Sequence, residues 1–253
     1  MLSANLGNAD SFDGAANLVN QKFNAPVSVA GELTPQNSTF TSVSVAGSAN
    51  IVQSQMTALN VEGALSLTQA QVMGPMTVAG GDNLTETRVM GFSTIEGSLS
   101  ATQGTFMHGV TVEGGAHLRG ITLQGPITIE GGAVFVSVKA PHTPLVIEGP
   151  LHSTDSTLGD ISIAGRKSVL SGGSVGNITV QKDNANNISH KIAHFFASLI
   201  GRDEETAERQ VIYLEGDIKI TGTITFKGKN GIVYSSTPQL LQGKVSGGEI
   251  KSL

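Results

Sequence analysis

The sequence predicts an all-β chain wound as a parallel β-helix, a solenoid of about nine or ten coils. Three observations predict it. A phrase of two apolar residues flanking one small residue, closed by Gly after a one-residue spacer, recurs nine times, from Val27-Ser28-Val29-Ala30-Gly31 to Ile161-Ser162-Ile163-Ala164-Gly165. Its glycines (Gly31, Gly47, Gly63, Gly80, Gly97, Gly114, Gly131, Gly149 and Gly165) are separated by 16, 16, 17, 17, 17, 17, 18 and 16 residues, and self-similarity at such a fixed period indicates stacked units. Composition agrees: 253 residues contain 32 Gly, 39% hydrophobic side chains, 4% aromatic ones and no Trp, so a core has to be assembled from thin aliphatic layers.

Residues 1–26 carry no copy of the phrase and are expected to form an N-terminal tail or a cap over the first coil, whose strand edges would otherwise be open. Over residues 27–183 each copy alternates apolar and polar with period two, as a strand with one buried face does. Every copy has the same polarity and the same terminal Gly, which favours parallel stacking over hairpins. One inward file is then Val29, Val45, Val61, Val78, Ile95, Val112, Ile129, Ile147 and Ile163. A second lies two residues earlier, with Ser93 its polar exception, and the small residues between, Ser28 through Ser162, face outward. β-Branched side chains suit such stacks because one rotamer serves every layer. The recurrent Gly fits a bend that needs positive φ or leaves no room for a side chain. Leu33, Leu65, Leu99 and Leu151, two residues after it, continue into a further strand. At about 4.8 Å per coil the rod would be about 40–50 Å long.

Over residues 184–210 the composition changes: 12 charged residues fall between Lys182 and Lys219, against five in the first 80 positions. Ile188, Ile192, Phe195, Phe196, Leu199 and Ile200 recur at three- and four-residue spacing, which predicts an amphipathic helix capped by Asn187 or Ser189 and ended by Gly201. A second short helical turn is expected over 203–210. From 211 to 253 strand-like alternation returns, punctuated by Gly216, Gly222 and Gly228, and either caps the coil or extends it.

Function is less legible than fold. The absence of Cys removes disulfides, thiolate metal ligation and a Cys nucleophile. A net charge of −5 argues against a nucleic-acid partner, and no apolar run approaches the roughly 20 residues of a membrane span. The first ten residues lack the regions of a signal peptide, so the chain is expected to be cytoplasmic at synthesis, with a dedicated secretion system the alternative. No phosphate loop, nucleophile elbow or calcium nonapeptide is present, and no cofactor is expected. Glu96, Glu113, Glu130 and Glu148, with Glu62 further out, should share one file; like charges about 5 Å apart repel and call for solvent, a cation or a basic partner. Hydration of a bend is the simplest account.

Two enzymatic ideas follow from the titratable residues. His190 and His194 lie four apart on the expected helix, but Lys191 replaces the Glu of a zinc-protease motif and no metal is assigned. His108, His117, His142 and His152 are candidate general bases for β-helix acyl transfer, although the six-residue step of that class fails over residues 27–110. Asp155, Asp160 and Glu148 are close enough in sequence to suggest paired carboxylates acting on carbohydrate. Phe195, Phe196, Leu199 and Ile200 form the most concentrated apolar group, suited to covering the coil or docking onto another protein.

The serial phrases, particularly Ile127 to Gly131 and Leu145 to Gly149 with their Glu-Gly bend, resemble the bactofilins, bacterial cytoskeletal proteins built of a small parallel β-helix between short tails. The resemblance covers about residues 27–180, implies a structural, polymer-forming role, and carries over no functional residue. The leading expectation is a non-enzymatic scaffold, rod-like, forming homo-oligomers or binding a protein partner through its ends or its C-terminal helix. The alternatives are a secreted or injected bacterial effector, an adhesin or a phage fibre component that binds glycan or host protein, and thirdly a β-helix acyltransferase or carbohydrate-active enzyme.

Overall fold

The structure, a computed structural model, describes residues 10–182 and 209–253. Short alternating strands that cannot bury a face alone bury it here against copies of themselves, in a parallel β-solenoid of about 13 turns. Each turn visits three faces. In the fifth, Met76–Val78 lies on the repeat face, the chain bends at Gly80, Asp82–Thr85 forms the second face, a corner follows at Glu86, and Arg88–Val89 forms the third face. Ser93–Ile95 then starts the sixth turn on top of Met76–Val78.

The register is that of the expected files. Val61, Val78 and Ile95 are direct neighbours on parallel strands, and the stack continues through Val112, Ile129, Ile147, Ile163 and Val180 to Phe226. The third face contributes Phe23, Phe40, Met56, Val72, Val89 and Phe106 in one file, and the Phe23 and Phe40 rings stack at 5.2 Å, 3° from parallel. All these residues are buried. Burying an aliphatic side chain of this size contributes about 1.5–3 kcal/mol, so each added turn brings its own stabilisation.

The structure corrects or decides three expectations. The coil has about 13 turns rather than nine or ten. The first turn, with Asp10–Phe12, Ala16–Val19 and Lys22–Phe23, lacks the Gly phrase yet pairs in register with the second. At the other end Val211–Glu215 stacks on Lys167–Val175 and Ile224–Phe226 on Ile178–Val180, so residues 211–252 extend the coil. The rod is accordingly roughly 60 Å long.

The second is the recurrent Gly, for which the alternative of close approach holds. None of the nine has a positive φ. They are required by close approach: a Cβ on Gly114 would stand 2.6 Å from the Gly97 carbonyl oxygen, and one on Gly131 would stand 2.7 Å from that of Gly114. The left-handed residues sit instead at the corner between the second and third faces. There Asn20, Asn37, Gln53, Gln69, Glu86, Gln103, Ser137 and Asp155 have φ between 48° and 54°, and Gly120, Gly172 and Gly216 complete the file. A single αL residue turns the chain sharply outward at the cost of crowding its own Cβ. Buried hydroxyls just after it satisfy the backbone: Ser54 Oγ donates to the Val52 carbonyl (2.8 Å) and accepts from the Ser38 N–H (3.1 Å).

The third concerns helix. The amphipathic helix expected around Phe195, Phe196, Leu199 and Ile200 lies outside the described residues. Of the second helical turn expected over 203–210, Arg209 and Gln210 are described and are not helical. Among the described residues helical geometry is confined to a 3-10 turn, Pro238–Leu241, which packs Leu241 against the core near the C-terminal end.

Candidate functional site

The corner between the repeat face and the second face is built by the glycine stack, which lets successive backbones meet without side chains between them. The file just before it holds the glutamates. Glu96, Glu113, Glu130 and Glu148 occupy the sixth to ninth turns, and their N–H groups donate to Val78, Ile95, Val112 and Ile129 one turn back, at 2.8–2.9 Å. All four side chains are exposed, as is Glu62 two turns before Glu96 with Ala79 between them. No ion pair joins them to another described residue, and among the described residues no group of three or more His, Asp or Glu side chains could hold a metal ion. The file is an exposed acidic edge.

A shallow groove of about 650 Å³ runs along the second face from the second to the sixth turn. Its walls mix the hydroxyls and amides of Ser48, Asn50, Ser66, Asn83, Ser98 and Ser100 with Ala49, Ala64, Leu65 and Gly81, and Glu32 and Asp82 also border it.

Beneath the second face sits the one ionisable side chain of the described core. Asp82 occupies the inward position that the adjoining turns fill with Leu65 and Leu99. It is 3% exposed, and neither carboxylate oxygen has a hydrogen-bond partner. Burial pushes its carboxyl up to about 8; the nearby Asn83 N–H opposes the shift without making a hydrogen bond of ordinary geometry. Ser93, one turn on, is likewise buried with an unpartnered hydroxyl. Sequence periodicity held the signal for both: each is the polar residue in a file of aliphatic ones.

The residues proposed for catalysis are not brought together. Glu148, Asp155 and Asp160 lie on three different corners of the same turn, Asp155 in the αL file and Asp160 just before the repeat strand Ile161–Ile163. Asp160 Oδ1 accepts from the backbone N–H and the side-chain amide of Asn177, at 2.8 and 3.0 Å. His117 and His152 share the second face but are two turns apart, with Val134 between them. His108 sits at the corner before the repeat face, edge-on to the 65%-exposed Phe92 ring at 5.4 Å, and His142 lines a separate 460 Å³ depression near Asp160. His190 and His194 lie outside the described residues.

What sequence reasoning missed is the amide ladder on the αL corner. Asn37 donates to Asn20 (2.6 Å), Gln53 to Gln69 (3.1 Å) and Gln69 to Glu86 (2.8 Å). The recurrence of Asn, Gln and Glu at 16–17 residue spacing was the available signal.

The two ends complete the inventory of surfaces. Among the described residues, Asp10–Phe12, Ala16–Val19 and Lys22–Phe23 of the first turn each pair with the second turn alone. At the last turn Val245–Ser246 and Gly248–Ser252 each pair with the strand one turn back, and among the described residues no strand lies on their other edge. The third face is closed there differently: the Lys244 ammonium donates to the Ile220 carbonyl at 2.8 Å, and the 3-10 turn lies alongside. Glu249 on the final strand is held by Arg209 (3.1 Å) and Lys251 (3.7 Å), which keep its carboxyl below the usual range. Comparison with known proteins gives no match to a family model, to a curated protein or to a solved structure.

Proposed function

We propose that this protein is a non-enzymatic, rod-like scaffold that associates with further copies of itself, or with a protein partner, through its ends. The observation that carries the reading is the way the ladder finishes. Among the described residues, strands of one polarity end in an unpaired edge at each extremity, and the two edges are different surfaces of the same lattice. Contacts between unlike ends are heterologous and build open chains rather than closed dimers. The resemblance of the repeat to bactofilins points the same way. The reading does not rest on Phe195, Phe196, Leu199 or Ile200. Its test is sedimentation and negative-stain microscopy of the full chain over a range of concentration and salt. Chains or discrete oligomers are expected; single rods at every concentration, with no partner retained in a pull-down, would sink it.

A second reading is favoured by one observation, the groove in which Ser48, Asn50, Ser66, Asn83, Ser98 and Ser100 present hydroxyls and amides between small apolar residues. Hydroxyls and amides in regular rows suit a glycan, as a secreted effector, adhesin or fibre component would need. A glycan array separates the two readings: saturable binding that is lost when Asn50 and Asn83 are changed to Leu would favour the second.

A further inference from the structure

The fifth and sixth turns contain the two buried side chains of the described core whose polar atoms have no partner, Asp82 and Ser93. Elsewhere the same two files are filled without this defect: Leu33, Ala49, Leu65, Leu99, Ala116 and Ala133 in one, Val43, Leu59, Met76, Val110 and Ile127 in the other, all buried. We infer that the fifth and sixth turns form a proton-controlled joint in the rod, closed while the Asp82 carboxyl holds its proton and opened when that carboxyl ionises.

The surroundings leave the ionised group no other remedy. Asp82 belongs to the strand Asp82–Thr85, which is sandwiched between Leu65–Thr68 and Leu99–Phe106; neither neighbour carries an ionisable side chain. Across the interior, Gln55–Val61, Met76–Val78 and Ser93–Ile95 carry none either. Arg88, on Arg88–Val89, is exposed on the outer surface, as are Glu62, Glu86 and Glu96 at the corners. An anion at Asp82 therefore has neither a counter-charge nor a full set of donors, and a buried unpaired carboxylate is relieved only by proton uptake or by water. Burial raises the carboxyl to about 8, so the proton leaves the folded coil near that pH.

The architecture makes the relief local. In a solenoid each turn contacts only its neighbours, so one interface can open while the turns on either side stay paired. Ser93 lies in the layer directly above, so its unpartnered hydroxyl gains water in the same opening. The joint lies nearer the N-terminal end of the rod, with four turns before it and about seven after. This inference stands whether or not the ends associate.

Hydrogen exchange of the full chain, read by mass spectrometry at pH 5 to 9 and corrected for intrinsic exchange, tests it. Protection of amides in residues 76–106 should fall about tenfold per pH unit up to about pH 8 and then level off, while residues 110–180 keep theirs. Asp82→Leu should abolish the fall. Asp82→Asn, an uncharged isostere of the protonated carboxyl, should hold the segment near its low-pH protection at every pH. A fall shared equally by residues 110–180, a flat profile over 76–106, or a fall that persists in either variant would overturn the inference.

Discussion

Single residues decide whether neighbouring turns can meet. For Asp82 the sign of the pH effect follows from its shift: the folded carboxyl titrates near 8, whereas an unfolded Asp titrates near its ordinary value of 3.8. The folded chain therefore keeps a proton that the unfolded chain has released. The Asp82 contribution to stability is greatest below about pH 4, declines by about 1.4 kcal/mol per pH unit up to about pH 8, and is flat beyond. Urea unfolding at pH 5, 6 and 7 should show that decline in the wild type and lose it in Asp82→Leu, which should be the more stable protein at pH 7. The opposite outcome is expected at Gly131, where Gly131→Ala forces a methyl to within 2.7 Å of the Gly114 carbonyl oxygen. Overpacking against backbone of this kind costs about 1–3 kcal/mol. Gln103 is the reverse case, a non-glycine residue at φ 53°. Gln103→Gly removes the Cβ crowding and should raise the urea midpoint, by about 1 kcal/mol in stability.

The turn is the element that folds, and it is also what the sequence spells most clearly. Because Ser93 pairs with Val110 and Phe106 with Leu123, excision of residues 93–109 brings Phe92 to Val110 in register. That variant should remain a cooperatively melting β protein with a similar circular-dichroism spectrum. Removal of eight residues from the same place should destroy cooperativity, since it sets outward residues over inward files. The repeat face was legible because its two inward positions and its Gly recur in nearly every turn. The first turn was not, because Asp10-Ser11-Phe12 has a charged residue where later copies have Val, and only its register with Val27–Val29 identifies it. The αL corner escaped notice because Asn, Gln, Glu, Ser and Asp alternate there: conformation is shared, chemistry is not. Of the candidate sites, the glutamate file could be placed from spacing alone, whereas the scattering of His117, His142 and His152 required knowing where each corner falls.

At the scale of the whole molecule the rod has sides that differ along their length and ends that differ from each other. The C-terminal edge carries the Arg209–Glu249–Lys251 group on its second face, and charge on a terminal strand discourages indiscriminate strand addition. The N-terminal edge of the same face is Ala16–Val19, with Val19 44% exposed. Ala16 and Asn20 donate their N–H groups to Glu32 and Gln36 of the second turn, at 2.8 and 3.0 Å. In a parallel strand residues bond alternately to one side and the other, so the N–H of Asn17 faces away from the second turn. Asn17→Pro deletes that donor and spares the bonds that hold the first turn to the second, provided its backbone stays extended. If ends join through this edge, the variant should sediment as single rods at concentrations where the wild type forms larger species, with a melting temperature within a few degrees of the wild type. Oligomers of unchanged size in Asn17→Pro would place the association on a side of the rod instead, and the groove beside Asn50 and Asn83 would then be the surface to mutate next.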